Sequence, residues 1–277
     1  MDSVGRPVVG IGQAHGAVTI LNATATGIGC ALAVEAGAFA RWSWKGDGLV
    51  FEGETDDRLA RAVQQLCGGG AARVQSTTAF APARGLKTSS SAATAMLRAA
   101  HAARAADVDD WALLRTAVAA CRQAGVTLTG ALDDQAAVTL GGCHLTDNRR
   151  DAVLQALPAE RWHVAVWVPD QALPKGRLHG LDLTPVVKDA RAAEQLAARG
   201  NLPAAMTRNG EAYTKLYAGA GLPVNAEPAA VALTHGALGA GLSGTGPAVA
   251  ALFEAAVTLP DVAGGAWTWT RAVEAPR

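Results

Sequence analysis

The sequence has no C-x-x-C pair: Cys30, Cys67, Cys121 and Cys143 each stand alone. Isolated thiols exclude a zinc ribbon and a dithiol redox motif, and they fit the reduced state of a cytoplasmic protein. No H-E-x-x-H occurs and the six histidines are scattered, which leaves no local metal site. Charge of one sign is missing too, with 24 Lys and Arg against 24 Asp and Glu. That balance removes the electrostatic case for nucleic acid as a partner. No uninterrupted apolar run reaches the roughly 18 residues of a membrane span. Met1–Pro7 lacks the basic-then-apolar pattern of a secretory leader. Neither membrane nor nucleic acid is an expected partner, and the expected location is the cytoplasm.

Two nucleotide signatures are also lacking. There is no G-x-x-x-x-G-K-[ST], so the chain is not a P-loop enzyme. Gly239, Gly241 and Gly244 satisfy G-x-G-x-x-G, but they follow a helical segment and lead into a strand. A dinucleotide fingerprint needs the reverse context.

What is present is a chain of 277 residues, half of them hydrophobic, long enough for one large domain or two modest ones with real cores. Short alternating runs predict strands at 17–21, 30–34, 39–44 and 49–52, then a helix at 57–66 and a strand at 73–80. Helices are expected at 89–106, 109–124 and 133–140. The pattern restarts past Asn148 with a strand at 163–168, helices at 190–199, 204–218 and 227–238, and strands at 247–253 and 267–273. Such a mixture suits an α+β protein of two lobes, divided as 1–150 and 151–277.

Three segments carry chemistry. Gly85-Leu86-Lys87-Thr88-Ser89-Ser90-Ser91 places a glycine, a lysine and four hydroxyls at the mouth of a helix. Backbone N–H groups and the helix dipole can hold a phosphate there, yet the same residues suit an ordinary N-cap. Asp133 and Asp134 open the helix at 133–140, either as cap and first-turn acid or as carboxylates aimed into a cleft. The spacing favours the cap. Ser243-Gly244-Thr245-Gly246 forms a glycine–hydroxyl loop before an apolar segment, a plain turn or a backbone nest for an anion. His15 and Asn22 flank an apolar strand near the start, where such residues are commonly structural.

Taken together, these segments resemble the GHMP kinases. Gly85–Ala93 resembles that family's second motif, a G-L-G-S-S-A-A-type loop, with Lys87 where glycine is usual and an additional hydroxyl residue. That variation is similar to the archaeal-type shikimate kinase branch. The stretches His15–Gly27, Thr129–Asp134, Arg208–Glu211, Asn225–Pro228 and Leu242–Ala248 resemble the same branch in the same order.

The resemblance implies an N-terminal lobe like ribosomal protein S5 domain 2 and a ferredoxin-like C-terminal lobe. It implies ATP between them, with its phosphates on Gly85, Leu86, Lys87, Thr88, Ser89, Ser90 and Ser91. The implied reaction is phosphorylation of shikimate to shikimate 3-phosphate in the route to chorismate and the aromatic amino acids. Asp133 would be the base or hydroxyl-orienting group, and Lys87 would neutralise phosphoryl charge. His15, Asn22, Asp134, Ser243, Gly244, Thr245 and Gly246 are the candidates for the acceptor side. Many relatives hold Mg²⁺ with a glutamate shortly before that aspartate, but here the region reads Cys121-Arg122-Gln123. The metal would then rely on the ATP phosphates, on a hydroxyl such as that of Ser91, and on Asp134. Other acceptors of this family, or a non-catalytic metabolite-binding role, are the alternatives.

Overall fold

The computed structural model describes residues 8–173 and 175–275, so the reading of Met1–Pro7 lies outside the described residues. Elements are numbered in chain order. The first sheet is built on one long antiparallel pair, β1 (Val9–Leu21) and β2 (Ile28–Ser43). The other side of β2 is shared by two strands. Its Ala38–Ser43 half pairs with β4 (Ala72–Thr78), and its Ile28–Leu32 half pairs with β5 (Cys143–Asp147). β3 (Leu49–Gly53) joins β4 in parallel, and β6 (Ala152–Leu157) joins β5 antiparallel. Between β4 and β5 the gap along β2 is closed from the far end of the chain. Val273 N–H donates to Ala33 O at 2.9 Å, and Ala33 N–H donates to Gly142 O at 2.8 Å.

The second sheet has the order β10 (Gly265–Arg271), β7 (His163–Pro169), β9 (Val249–Phe253), β8 (Gly239–Leu242), with every neighbour antiparallel. Counted along the lobe this is 4-1-3-2, the order of a ferredoxin-like split βαβ fold. The first crossover holds α5 (Val187–Ala198), α6 (Leu202–Gly219) and α7 (Glu227–Thr234). The second crossover, 254–264, contains no helix. The fold is the expected α+β arrangement of two lobes. Because β6 completes the first sheet and β7 opens the second, we place the division between Leu157 and His163, later than the expected residue 150.

Several elements differ from expectation for identifiable reasons. The two strands expected at 30–34 and 39–44 are one, because the strands stay paired on either side of a bulge in β2, where Glu35-Ala36-Gly37 lie opposite the single residue His15 of β1. β5, β6 and β8 were not expected. They are only four to six residues long and follow helices or turns with no alternation to mark them. The helix expected to reach Leu238 stops at Thr234, and Gly236 follows with φ of 91°.

Apolar residues from β2, β4, α1 (Asp57–Leu66), α2 (Thr88–Ala102) and α3 (Asp110–Gln123) form one core. A second core, including Val18, Leu32, Val164, Met206 and Leu252, joins the lobes. Alanine content explains how closely α2 lies on the sheet. Ala92, Ala95 and Ala99 are fully buried, and a Cβ at Gly12 of β1 would sit 2.1 Å from Ala95 O. The helix therefore rests on bare backbone. Gly12→Val should lower stability by about 3 kcal/mol or more through this clash. Gly219→Ala meets no atom within 4 Å and should be neutral or slightly stabilising. Urea midpoints would show it; equal effects from the two variants would contradict the packing account.

Candidate active site

Two helices begin in the same cleft, α2 at Thr88 and α4 (Leu132–Leu140) at Leu132. Their entries are alike and unusual. Lys87 and Ala131 precede them in the left-handed region, with φ of 58° and 54°, and neither helix has a side-chain cap. By contrast, Asp56 caps α1 and Asp109 caps α3 through their carboxylates. Non-glycine residues in that conformation cost of order 1 kcal/mol each, and such strain concentrates at functional sites. Serine capping of α2 and aspartate capping of α4, both expected as possible readings, are therefore not what forms. Thr88, Ser89 and Ser90 lie within the first turn, and all three line the cleft. First-turn amides have no partner inside their own helix. Amides so placed can receive an anion.

The loop before α2 is braced from the second lobe. Gly85 has φ of 84°, and a Cβ there would lie 2.2 Å from Ser243 O. Ser243 Oγ donates to Gly85 O at 3.0 Å and accepts from Thr19 N–H at 3.2 Å. Gly244 N–H donates to Thr19 Oγ1 at 2.7 Å, while Asn22 Nδ2 donates to Gly244 O at 2.8 Å. Gly246 N–H closes the turn on Ser243 O at 2.9 Å. The glycine–hydroxyl loop thus fixes the segment before α2 against β1.

Asp133 sits at the bottom of the cleft, 4% exposed. Gly29 of β2 makes room for it, since a Cβ there would lie 2.6 Å from Asp133 Cγ. Asn148 Nδ2 donates to Asp133 Oδ1 at 2.7 Å and to Thr129 Oγ1 at 3.1 Å. Thr146 Oγ1 donates to Asn148 Oδ1 at 2.8 Å, which fixes the amide's orientation. Burial, then the charge of Asp134, pushes the Asp133 carboxyl up to about 6, against the opposing pull of Lys87 and Asn148. Asp134 itself meets Lys87 Nζ at 2.6 Å, with both side chains nearly buried. For Lys87 burial lowers the pKa, but the charges of Asp134 and Asp133 outweigh it and hold the ammonium above its ordinary value.

Of the candidates named from sequence, the cleft brings together Asn22, Gly85, Leu86, Lys87, Thr88, Ser89, Ser90, Asp133, Asp134, Gly244 and Thr245. His15 is elsewhere: its side chain lies in a separate depression with Glu35 and Arg98. Its carbonyl accepts from Ser91 Oγ at 2.8 Å, so Ser91 ties α2 to β1 from behind the loop rather than facing the cleft. Ser243 and Gly246 brace without lining. Sequence reasoning missed Asn148 and Tyr213, and gave no role to Thr129 or Asn209, although both lie in the stretches that carry the resemblance; Asn209 and Tyr213 support Asn22. Asn209 Oδ1 accepts from Asn22 N–H at 3.0 Å, and Tyr213 Oη donates to Asn22 O at 3.2 Å. The polar run Thr146-Asp147-Asn148 at a strand end was the available signal. Among the described residues no three His, Cys, Asp or Glu side chains could together hold a metal. The donors present, Asp134 and the hydroxyls of the first turn, fit a Mg²⁺ that arrives on phosphates rather than one caged by protein.

Residues 57–142 match the GHMP kinases N terminal domain. A shikimate kinase of Thermococcus kodakarensis is 36% identical over 253 residues, covering 87% of this chain and 90% of that protein. One from Halobacterium salinarum is 38% identical over 252 residues, covering 86% of each. Among solved structures, L. major mevalonate kinase in complex with R-mevalonate superimposes with a TM-score of 0.69 at 16% identity, over 98% of this chain and 96% of that one. That last likeness speaks for the fold.

The buried Asp133 gives a pH-dependent stability prediction for the protein without ligands. Its folded pKa is raised, so it favours the folded state below the ordinary carboxylate range and loses that contribution as pH rises through about 6. Asp133→Asn should therefore be more stable than the wild type at about pH 8, by roughly 1–3 kcal/mol, with the gap closing towards about pH 4. Urea unfolding at both pH values would reveal a gap of the wrong sign or one independent of pH, and either would refute the assignment.

Proposed function

The chain belongs to the GHMP kinase family, among the archaeal shikimate kinases, and from that premise we propose that it transfers the terminal phosphoryl group of ATP to the 3-hydroxyl of shikimate in the cytoplasm. The observation that carries this reading is the meeting of Asp133 with the uncapped first turn of α2 in one cleft. The amides of Thr88, Ser89 and Ser90 bind the phosphates, and Gly85 lets the 243–246 loop pack against the segment that presents them. Lys87 offsets charge on the transferring group. Mg²⁺, when bound with ATP, neutralises phosphate charge; Asp134 and the hydroxyls at the start of α2 are the groups that would hold it.

Asp133 receives the acceptor's hydroxyl proton. A carboxyl whose pKa is pushed towards neutrality takes a proton more readily than an exposed aspartate would. Asn148 holds one of its oxygens and thereby aims the other. Most of the barrier lowering comes from positioning and electrostatics, as in phosphoryl transfer generally. Asn22, fixed by Asn209 and Tyr213, and Thr245 lie on the acceptor side.

A coupled ADP-release assay with shikimate, quinate, homoserine and mevalonate tests the reading. Turnover should be confined to shikimate, or favour it strongly. Silence with all four acceptors, or turnover confined to homoserine or mevalonate, would overturn it. Asp133→Asn should lower kcat by about 100-fold or more while ATP affinity stays within about threefold. Near-normal turnover would remove Asp133 from the mechanism.

A further inference from the structure

Lys87 occupies a place that costs free energy in three ways. It is held in the left-handed region, with φ of 58°. It stands at the N-terminus of α2, where the helix dipole disfavours a cation. Its side chain is 10% exposed, so its ammonium is largely stripped of water. Asp134, 13% exposed, also lies at a helix N-terminus, where a carboxylate is welcome, but directly beside Asp133. Lys87 Nζ and Asp134 Oδ1 meet at 2.6 Å, so each of these two buried charges is compensated by the other. Two buried charges carry a desolvation cost that their mutual attraction only partly offsets, so the pair is weak evidence of a role in stability.

Resting on the kinase reading, we infer that the Lys87–Asp134 pair is a placeholder for metal-bound nucleotide. Lys87 supplies the positive charge that Asp134 meets from the metal in the loaded site. Asp134 supplies the negative charge that Lys87 meets from phosphate. On loading, the two side chains exchange partners: Asp134 turns to the cation and Lys87 to the phosphate. No bond is made or broken in the exchange, and the cleft keeps each buried charge compensated in both states. Of the two carboxylates lining the cleft, Asp133 is held by Asn148, and Asp134 is the one assigned to the cation.

One consequence runs against ordinary expectation. Removing a metal ligand should improve binding of metal-free ATP, because Lys87 is then free for phosphate and one repelling carboxylate has gone. The test is calorimetric titration of ATP into the full chain, with EDTA and then with Mg²⁺, for wild type, Asp134→Asn and Asp134→Glu. Wild type should gain about tenfold or more in affinity from Mg²⁺. Asp134→Asn should bind metal-free ATP about fivefold tighter than wild type and gain less than about threefold from Mg²⁺. Asp134→Glu, which keeps the charge, should restore the metal-dependent gain. Thermal melts by circular dichroism confirm that each variant is folded. If Asp134→Asn binds metal-free ATP no tighter than wild type and keeps the full Mg²⁺ gain, the exchange is wrong while the kinase reading stands. If wild type binds ATP in neither buffer, both readings fall.

Discussion

Two helices can direct uncapped N-termini into one cleft only if their flanks are held hard against the sheet. Missing side chains meet that constraint here. α2 lies on β1 where Gly12 leaves its backbone bare, and Asp133 of α4 fits over β2 where Gly29 does the same. Once the helices are seated, the positions of their first-turn amides follow from covalent geometry. The left-handed Lys87 and Ala131 are the price of making the chain turn sharply into each helix. A side-chain cap at either position would occupy the amides that the cleft needs.

The site concentrates two carboxylates and one ammonium where water is scarce, and its electrostatics follow from that scarcity. Burial and the neighbouring Asp134 raise the proton affinity of Asp133, whereas Lys87 and Asn148 limit the rise. The result is a carboxyl near the range in which a base is effective. Bracing from the second lobe adds the remaining constraint. Ser243 and Gly244 join the segment before α2 to Thr19 and Asn22 of the first lobe. Both lobes are therefore needed to shape one loop, which is why the motifs are spread along most of the sequence.

Much of this was legible in the sequence. Glycine and hydroxyl residues at 85–91 marked a helix start that could be either a cap or an anion loop, and paired acids at 133 and 134 marked a second helix start. Long helices were readable from their period and the glycines after them. Other features were hidden because they depend on tertiary contact. Nothing local says that Ser91 points back to the His15 carbonyl, or that His15 faces a different depression. Asn148 sits fifteen residues from Asp133 and reaches it only because β5 ends beside α4. The short strands β5, β6 and β8 owe their existence to partners already in place, so their own residues carry little signal.

A crystal structure of the chain with a non-hydrolysable ATP analogue and shikimate would test the central claim most directly. The account predicts phosphate oxygens on the amides of Thr88, Ser89 and Ser90, and the 3-hydroxyl of shikimate within about 3 Å of Asp133. Phosphates seated away from the start of α2, or an acceptor hydroxyl out of reach of Asp133, would contradict it.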